Sequence, residues 1–221
     1  MILEIKDFLK SDEIAHLREL AARMSFVDGR ATNTGFQQKQ NLQADPANAS
    51  AEQASKIVWD AYNRSQEFRN FTLPKRMAPP LIARYEPGMK YGPHADSAYV
   101  QAQGGQLRSD VSSTVFLSEP GSYEGGELVL HLGDAPVVIK YEPGSAVLYP
   151  STSLHEVRPV TTGQRLVALT FVESYVPDEQ HRQMVFELGE VSALEGDKMH
   201  LLNRTRLELV RQNLMRRWSV G

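Results

Sequence analysis

The 221-residue sequence predicts a mainly β core flanked by helices at both ends. Three observations carry that prediction. Short β-rich runs follow one another from about Pro79 to Pro177, apolar residues recur at helical spacing on either side, and Pro-Gly, Gly-Asp and Thr-Gly pairs separate the runs. Short strands at such spacing favour an antiparallel sandwich or barrel over βαβ units. The chain then divides into an N-terminal helical and mixed segment, 1–77, packing on the core; the β core, 78–177; and a helical C-terminal extension, 178–221.

In the first segment Ile14, Leu17, Ala21 and Met24 recur at helical spacing behind Ser11 and Asp12, either of which can cap. The first seventy or so residues read as mainly helical, with the polar stretch 28–49 as loop and room there for a short strand. Ser50 and Gln53 match a capping box, and behind them Ala54, Ile57, Val58, Ala61 and Tyr62 form one apolar helical face suited to core packing.

The runs of the β segment are LIARY, the stretch around PHAD, STVFL, GELVLHL, PVVIK, AVLYP, LHEVR and RLVALTFV. Tyr-Glu-Pro-Gly at 85–88 and 141–144, and Glu-Pro-Gly at 119–121, read as type II turns. Proline presets the first central position of such a turn and glycine supplies the positive φ of the second. Residues 97–113, polar and glycine-containing, interrupt the pattern and read as a lid, a binding loop or disorder. Beyond Pro177, Met184, Val185 and Leu188 suggest a short helix. Leu207, Val210, Leu214 and Trp218 share one face of a longer one, whose last turns carry Arg211, Arg216 and Arg217 to complement the helix dipole.

Composition narrows the chemistry. With no cysteine there is no disulfide, thiolate zinc site, iron–sulfur cluster or cysteine nucleophile, so a metal here is held by nitrogen and oxygen. A net charge of −3 leaves no electrostatic footprint for nucleic acid. The opening residues lack the pattern of a signal peptide and no long apolar run follows, so the expectation is a cytoplasmic protein without a membrane partner.

Within that frame His94-Ala95-Asp96 is a candidate ligand pair, because residues i and i+2 of an extended strand face the same way. Two histidines and a carboxylate on one face of an octahedral ion suit non-haem Fe(II) with positions left open. Alone the motif is weak: chance supplies about 0.3 His-x-Asp pairs in a chain with this many His and Asp. His155 is the candidate third ligand. Arg165 follows ten positions later, the one charge in RLVALTFV. If Thr161-Thr162-Gly163 is a three-residue hairpin loop ending in a left-handed glycine, His155 and Arg165 share one sheet face. A buried arginine needs an anion. A dicarboxylate cosubstrate, chelating the metal at one end and meeting the Arg165 fork at the other, explains both features. The plainer reading is a rim arginine paired with Glu156 or Glu173. For His16, His131, His181 and His200 surface or core roles are expected, since none has ligand-like spacing. Ser151, Thr152 and Ser153 lack a nucleophile elbow. Tyr91 and Tyr99 flank the metal motif and either line the entrance or pack.

These residues carry a family resemblance. Arg84-Tyr85-x-x-Gly88-x-x-Tyr91-x-x-His94-x-Asp96, then Glu124-Gly125-Gly126-Glu127-Leu128, Pro143-Gly144-Ser145 and His155-x-Val157 with Arg165 resemble the prolyl-hydroxylase-like branch of the Fe(II)/2-oxoglutarate-dependent dioxygenases. With Asp28-Gly29-Arg30-Ala31-Thr32 and the helical tail, the chain looks like the bacterial PKHD-type hydroxylases over nearly its whole length. The resemblance implies a double-stranded β-helix (jelly-roll) core, His94, Asp96 and His155 as iron ligands, Arg165 binding 2-oxoglutarate and Tyr85 helping to hold it. It also implies O2 as cosubstrate, ascorbate as reductant, and oxidative decarboxylation to succinate and CO2 coupled to hydroxylation of an unactivated C–H. The substrate, small molecule or peptidyl, is not readable, and a homo-oligomer stays open. Two other readings are a cupin-like metal-binding protein without oxygenase activity, and a helical interaction protein on an inert β scaffold.

Overall fold

The structure is a computed structural model describing residues 1–32, 38–102 and 104–221. Eight antiparallel strands form its centre: β1 (Leu81–Tyr85), β2 (Lys90–His94), β3 (Val111–Phe116), β4 (Leu128–Leu132), β5 (Ala135–Ile139), β6 (Ala146–Pro150), β7 (Leu154–Val157) and β8 (Arg165–Ser174). These are the eight runs read from the sequence. They divide into two sheets, β6-β3-β8-β1 in the larger and β5-β4-β7-β2 in the smaller. Successive strands cross repeatedly between the sheets, as in a jelly roll.

The amino-acid pattern explains the layering. In the larger sheet both faces are covered, so β3 (VSSTVF) is buried throughout and most of β8 with it. One apolar cluster lies between this sheet and the helices and includes Leu17, Val58, Tyr62, Val111, Val115, Leu148 and Ala168. A second lies inside the sandwich and includes Ala83, Phe116, Leu130, Val147 and Val167. In contrast β5 is an edge strand exposed along most of its length, which tolerates Pro136.

Flanking segments extend both sheets. Leu3–Ile5 pairs with β6, and Leu42–Ala44 pairs with β1 and in turn with Phe26–Asp28. Pro74–Met77 pairs with the end of β8, and Lys39–Gln40 with β2. The N-terminal stretch is therefore less helical than its periodicity suggests. Its strands are two to four residues long, too short to show alternation. Within the expected loop 28–49, residues 33–37 lie outside the described residues.

The helices are α1 (Ser11–Arg23), α2 (Ala49–Arg64), α3 (Gln66–Thr72), α4 (Glu179–Glu195) and α5 (Leu201–Trp218). α1 starts one residue earlier than expected, with Lys10 at the cap position, where its backbone N–H donates to Glu13 at 2.8 Å. α2 is capped by Asn48, whose Oδ1 accepts from the Ser50 N–H at 2.9 Å, so the Ser50/Gln53 capping box is not used. Asparagine is among the best N-caps, and it stands two positions upstream. The apolar face is as read: Ala54, Val58, Ala61 and Tyr62 are buried, with Ile57 packed beside them.

Two of the three expected turns form as anticipated. At 86–89 and 142–145 the i→i+3 hydrogen bonds are 2.9 and 3.1 Å, with Gly88 and Gly144 both at φ +87°. The third, Pro120–Ser122, is instead a 3-10 turn, and Gly121 has no positive φ. The stretch 97–113, where only Gln103 is outside the described residues, is built as strands: Tyr99–Ala102 pairs with Gly105–Arg108 in a separate hairpin that buries Leu107. α4 is much longer than the short helix expected. α5 packs Leu214, Met215 and Trp218 over Leu73, Val176 and Val185, and Trp218 stacks on His181 at 4.1 Å. Val210 remains exposed, so the expected apolar face of α5 is only partly covered. Arg211 turns inward to the Val185 carbonyl and Glu208, which breaks up the terminal basic cluster. Among the described residues no helix is long and apolar enough to cross a membrane.

Candidate metal centre

The smaller sheet brings the two histidines together. His94 ends β2, His155 lies in β7, and the two are direct partners in the pairing of those strands, with ring centroids 4.2 Å apart. Asp96 follows just beyond β2. Its Oδ1 is 3.9 Å from His94 Nε2 and its Oδ2 is 3.8 Å from His155 Nε2. One ligand atom from each of the three lies within 4.8 Å of the others.

Backbone geometry sets the tautomers. His94 Nδ1 is 2.8 Å from the Gly92 carbonyl and His155 Nδ1 is 2.9 Å from the Ser153 carbonyl. A carbonyl can only accept, so each Nδ1 carries the proton and each Nε2 lone pair faces the gap. Burial, then the neighbouring His155 and Lys39, push the His94 imidazole down to about 4, while the Gly92 carbonyl opposes them. Burial raises Asp96, against His155, the Ser112 hydroxyl and Lys39. With Nε2 of both imidazoles and the Asp96 carboxylate turned to one gap, the three side chains offer nitrogen and oxygen donors suited to a divalent cation. Tyr91 lies flat on His94, ring centroids 3.5 Å apart at 15°, so it packs on a ligand candidate as well as lining the cavity.

Arg165 reaches the same cavity from the other sheet. β8 belongs to the larger sheet, where Arg165 pairs with Tyr85 of β1, whereas β7 belongs to the smaller. The hairpin expected between His155 and Arg165 is not made. Val160–Gly163 forms a strand with Tyr123–Gly125, and the chain crosses between sheets there, although Gly163 does hold φ +74°. His155 and Arg165 meet because their sheets face each other. The cavity between them has a volume of about 580 Å³ and is lined by His94, Asp96, His155, Arg165 and Tyr85, among others.

The rim-arginine reading fails. Arg165 is only 2% exposed, and among the described residues no carboxylate pairs with it. Glu173 is held by Arg76 at 2.6 Å, and Glu156 lies 3.6 Å from His131. The Arg165 guanidinium sits over the Tyr85 and Phe116 rings at 5.0 and 5.8 Å, and its buried Nε has no partner. Such a donor is costly to bury unless an anion meets it. Tyr85 is raised by burial, against Arg165 and the Asn41 amide, which donates to its hydroxyl at 3.2 Å; Asp96 raises it further. Tyr85 thus feels both the cation and the carboxylate ends of the cavity.

Comparison with known proteins identifies this architecture. Residues 80–173 match the model of the 2OG-Fe(II) oxygenase superfamily. A PKHD-type hydroxylase of Sphingopyxis alaskensis is 48% identical over 98% of this chain and 99% of its own, and one of Gluconacetobacter diazotrophicus is 38% identical over the full length of both. The chain belongs to the PKHD-type hydroxylases. A prolyl hydroxylase of Trichoplax adhaerens shares the fold, with a TM-score of 0.57 at 18% identity, covering 83% of this chain and 86% of that one. This PKHD-type hydroxylase is thus a non-haem iron(II)- and 2-oxoglutarate-dependent dioxygenase, which couples decarboxylation of 2-oxoglutarate to succinate and CO2 with substrate oxidation. The cupin-like and scaffold readings are set aside.

Several cavity residues escaped the sequence reading: Lys39, Asn41, Ser112 and Tyr149. Gln43 is buried in the short strand Leu42–Ala44 and Asn41 is buried just before it, while the apolar Leu42 between them is only half-buried. His16, His181 and His200 lie away from the cavity. His131 sits on β4 beside Glu156.

Proposed function

We propose that His94, Asp96 and His155 hold the iron and that Arg165, flanked by Tyr85, receives the far carboxylate of 2-oxoglutarate. The observation that carries this reading is the buried, unpartnered Arg165 Nε in the cavity that also gathers the three ligand atoms. The residues fit the group. Two neutral imidazoles and one carboxylate make the facial set suited to Fe(II) with open positions, and the arginine fork suits a carboxylate. Iron and 2-oxoglutarate, when bound, would activate O2, which is the oxidant for hydroxylating an unactivated C–H. The protein's own contribution is placement: the smaller sheet orients the imidazoles, the larger sheet presents the guanidinium, and the tyrosines between them exclude water. The Tyr99–Ala102 hairpin strand, with Tyr99 60% exposed, forms part of the cavity rim, where a small-molecule or peptidyl substrate would approach. Ascorbate as the reductant that keeps the iron ferrous, and a cytoplasmic location, complete the reading.

The test is anaerobic titration with Fe(II) and 2-oxoglutarate, followed by a succinate assay once oxygen is admitted. Succinate above the metal-free background, abolished in His155→Ala, is expected. Absence of both cosubstrate binding and succinate would sink the reading.

A further inference from the structure

A row of serine hydroxyls, to which the proposed function assigns no role, runs from Asp96 into the protein. Ser112 Oγ donates to Asp96 Oδ2 at 2.5 Å, Ser112 and Ser151 hydroxyls are 2.7 Å apart, and Ser109 Oγ donates to Ser151 Oγ at 2.8 Å. All three serines are buried. Proton accounting orders the row. An ionised carboxylate can only accept, so the one hydroxyl proton of Ser112 goes to Asp96. Ser112 therefore accepts from Ser151, whose own proton is then used, and Ser151 accepts from Ser109. Every O–H points toward Asp96. Aligned hydrogen bonds in a low-dielectric interior polarise one another.

The far end is anchored. Arg108 clasps Asp110 at 2.7 and 2.9 Å, Asp110 Oδ2 accepts from the Ser174 N–H at 2.8 Å, and the Asp110 carbonyl accepts from the Ser151 N–H at 3.2 Å. The turn that holds Ser151 also holds Ser153, whose carbonyl fixes His155. One polar seam thus supports two of the three ligand candidates, coming from different elements.

We propose that the Ser109–Ser151–Ser112 hydroxyl chain positions Asp96 as a one-oxygen metal ligand, by occupying Oδ2 and leaving Oδ1 to the ion. The inference rests on the assignment of Asp96 as a ligand. A carboxylate free to pivot could chelate through both oxygens and take a position that the cosubstrate or O2 needs; the tether on Oδ2 opposes that pivot. These serines are positioning residues.

Cobalt(II) is the probe, with anaerobic binding followed by its visible absorption in the full-length protein. Ser112→Ala should weaken Co(II) by about 10- to 100-fold, in line with losses of groups behind metal ligands, and should alter the cobalt spectrum. Ser151→Ala, which touches no ligand, should shift affinity and spectrum in the same direction by a smaller factor. Because the chain acts as a unit, Ser112→Ala/Ser151→Ala should be no worse than Ser112→Ala alone. Ser112→Thr, which keeps the hydroxyl, should restore binding. Parent-like Co(II) affinity and spectrum in both alanine variants, with binding lost in Asp96→Ala, would overturn the hydroxyl chain alone. Binding retained in Asp96→Ala would overturn the ligand assignment itself.

Discussion

At the scale of single residues, Arg165 has the most exacting position. Its guanidinium is a buried cation held over aromatic faces, and its buried Nε has no partner among the described residues. Replacing the fork by a point charge in Arg165→Lys should cost about 1.5–3 kcal/mol of 2-oxoglutarate binding, the worth of a hydrogen bond to a charged group. Metal affinity measured without 2-oxoglutarate should stay at the parent value. Isothermal titration of each ligand separates the two. Lys39 offers a pH test. Burial pushes its ammonium down to about 8, against the pull of Asp96 and Asp28. Between that value and the ordinary lysine range the unfolded chain binds the proton and the folded chain does not. Stability therefore rises with pH through this window and is lost as pH falls through it. The full shift corresponds to about 3 kcal/mol. Urea unfolding at pH 8 and 9.5 should show the rise in the parent and a flatter profile in Lys39→Met.

At the scale of elements, what could be read depended on whether a pattern has a period long enough to see. α2 shows its apolar stripe over sixteen residues, and the stripe is where the sequence places it. Its start lies at Asn48 rather than at Ser50, because Ser50-x-x-Gln53 and Asn48 are both sound caps and only the backbone geometry chooses between them. Asn48→Ala should then cost about 1 kcal/mol in urea unfolding, and Ser50→Ala at most a few tenths. Strands obey the same rule. β8 is read easily from ten consecutive residues, whereas Lys39–Gln40 and Leu42–Ala44 leave no alternation to detect and turn polar side chains inward. A strand that builds a polar cavity reverses the apolar-inside signal, so the residues most useful to the site are the hardest to find by pattern.

At the scale of the whole molecule, the site is shared between sheets. The metal candidates come from the smaller sheet and its margin, and Arg165 with Tyr85 from the larger. A cosubstrate that touches both should clamp them. Metal at a hundred times its Kd adds about 2.7 kcal/mol of stability by mass action. Adding 2-oxoglutarate should raise the melting temperature further only when metal is present, and Arg165→Met should abolish that second increment while keeping the first. Thermal denaturation with metal, with 2-oxoglutarate, and with both decides it.

By itself the sequence determined the eight core strands, the apolar faces of α1 and α2, and the identity of His94, Asp96, His155 and Arg165 as the residues to watch. Turn chemistry, periodicity and ordered motifs are local, and local signals survive in one dimension. Only the tertiary structure decided how those residues meet. Alternation along a strand says which side chains share a face, but not which sheet lies opposite that face. A hairpin and a crossing between sheets can both follow the same Thr-Thr-Gly. The chain takes the crossing, because Val160–Gly163 finds its hydrogen-bond partners in Tyr123–Gly125 rather than in the strand that follows. That choice sets Arg165 across the cavity from His155 instead of beside it, and leaves the space between them for a ligand.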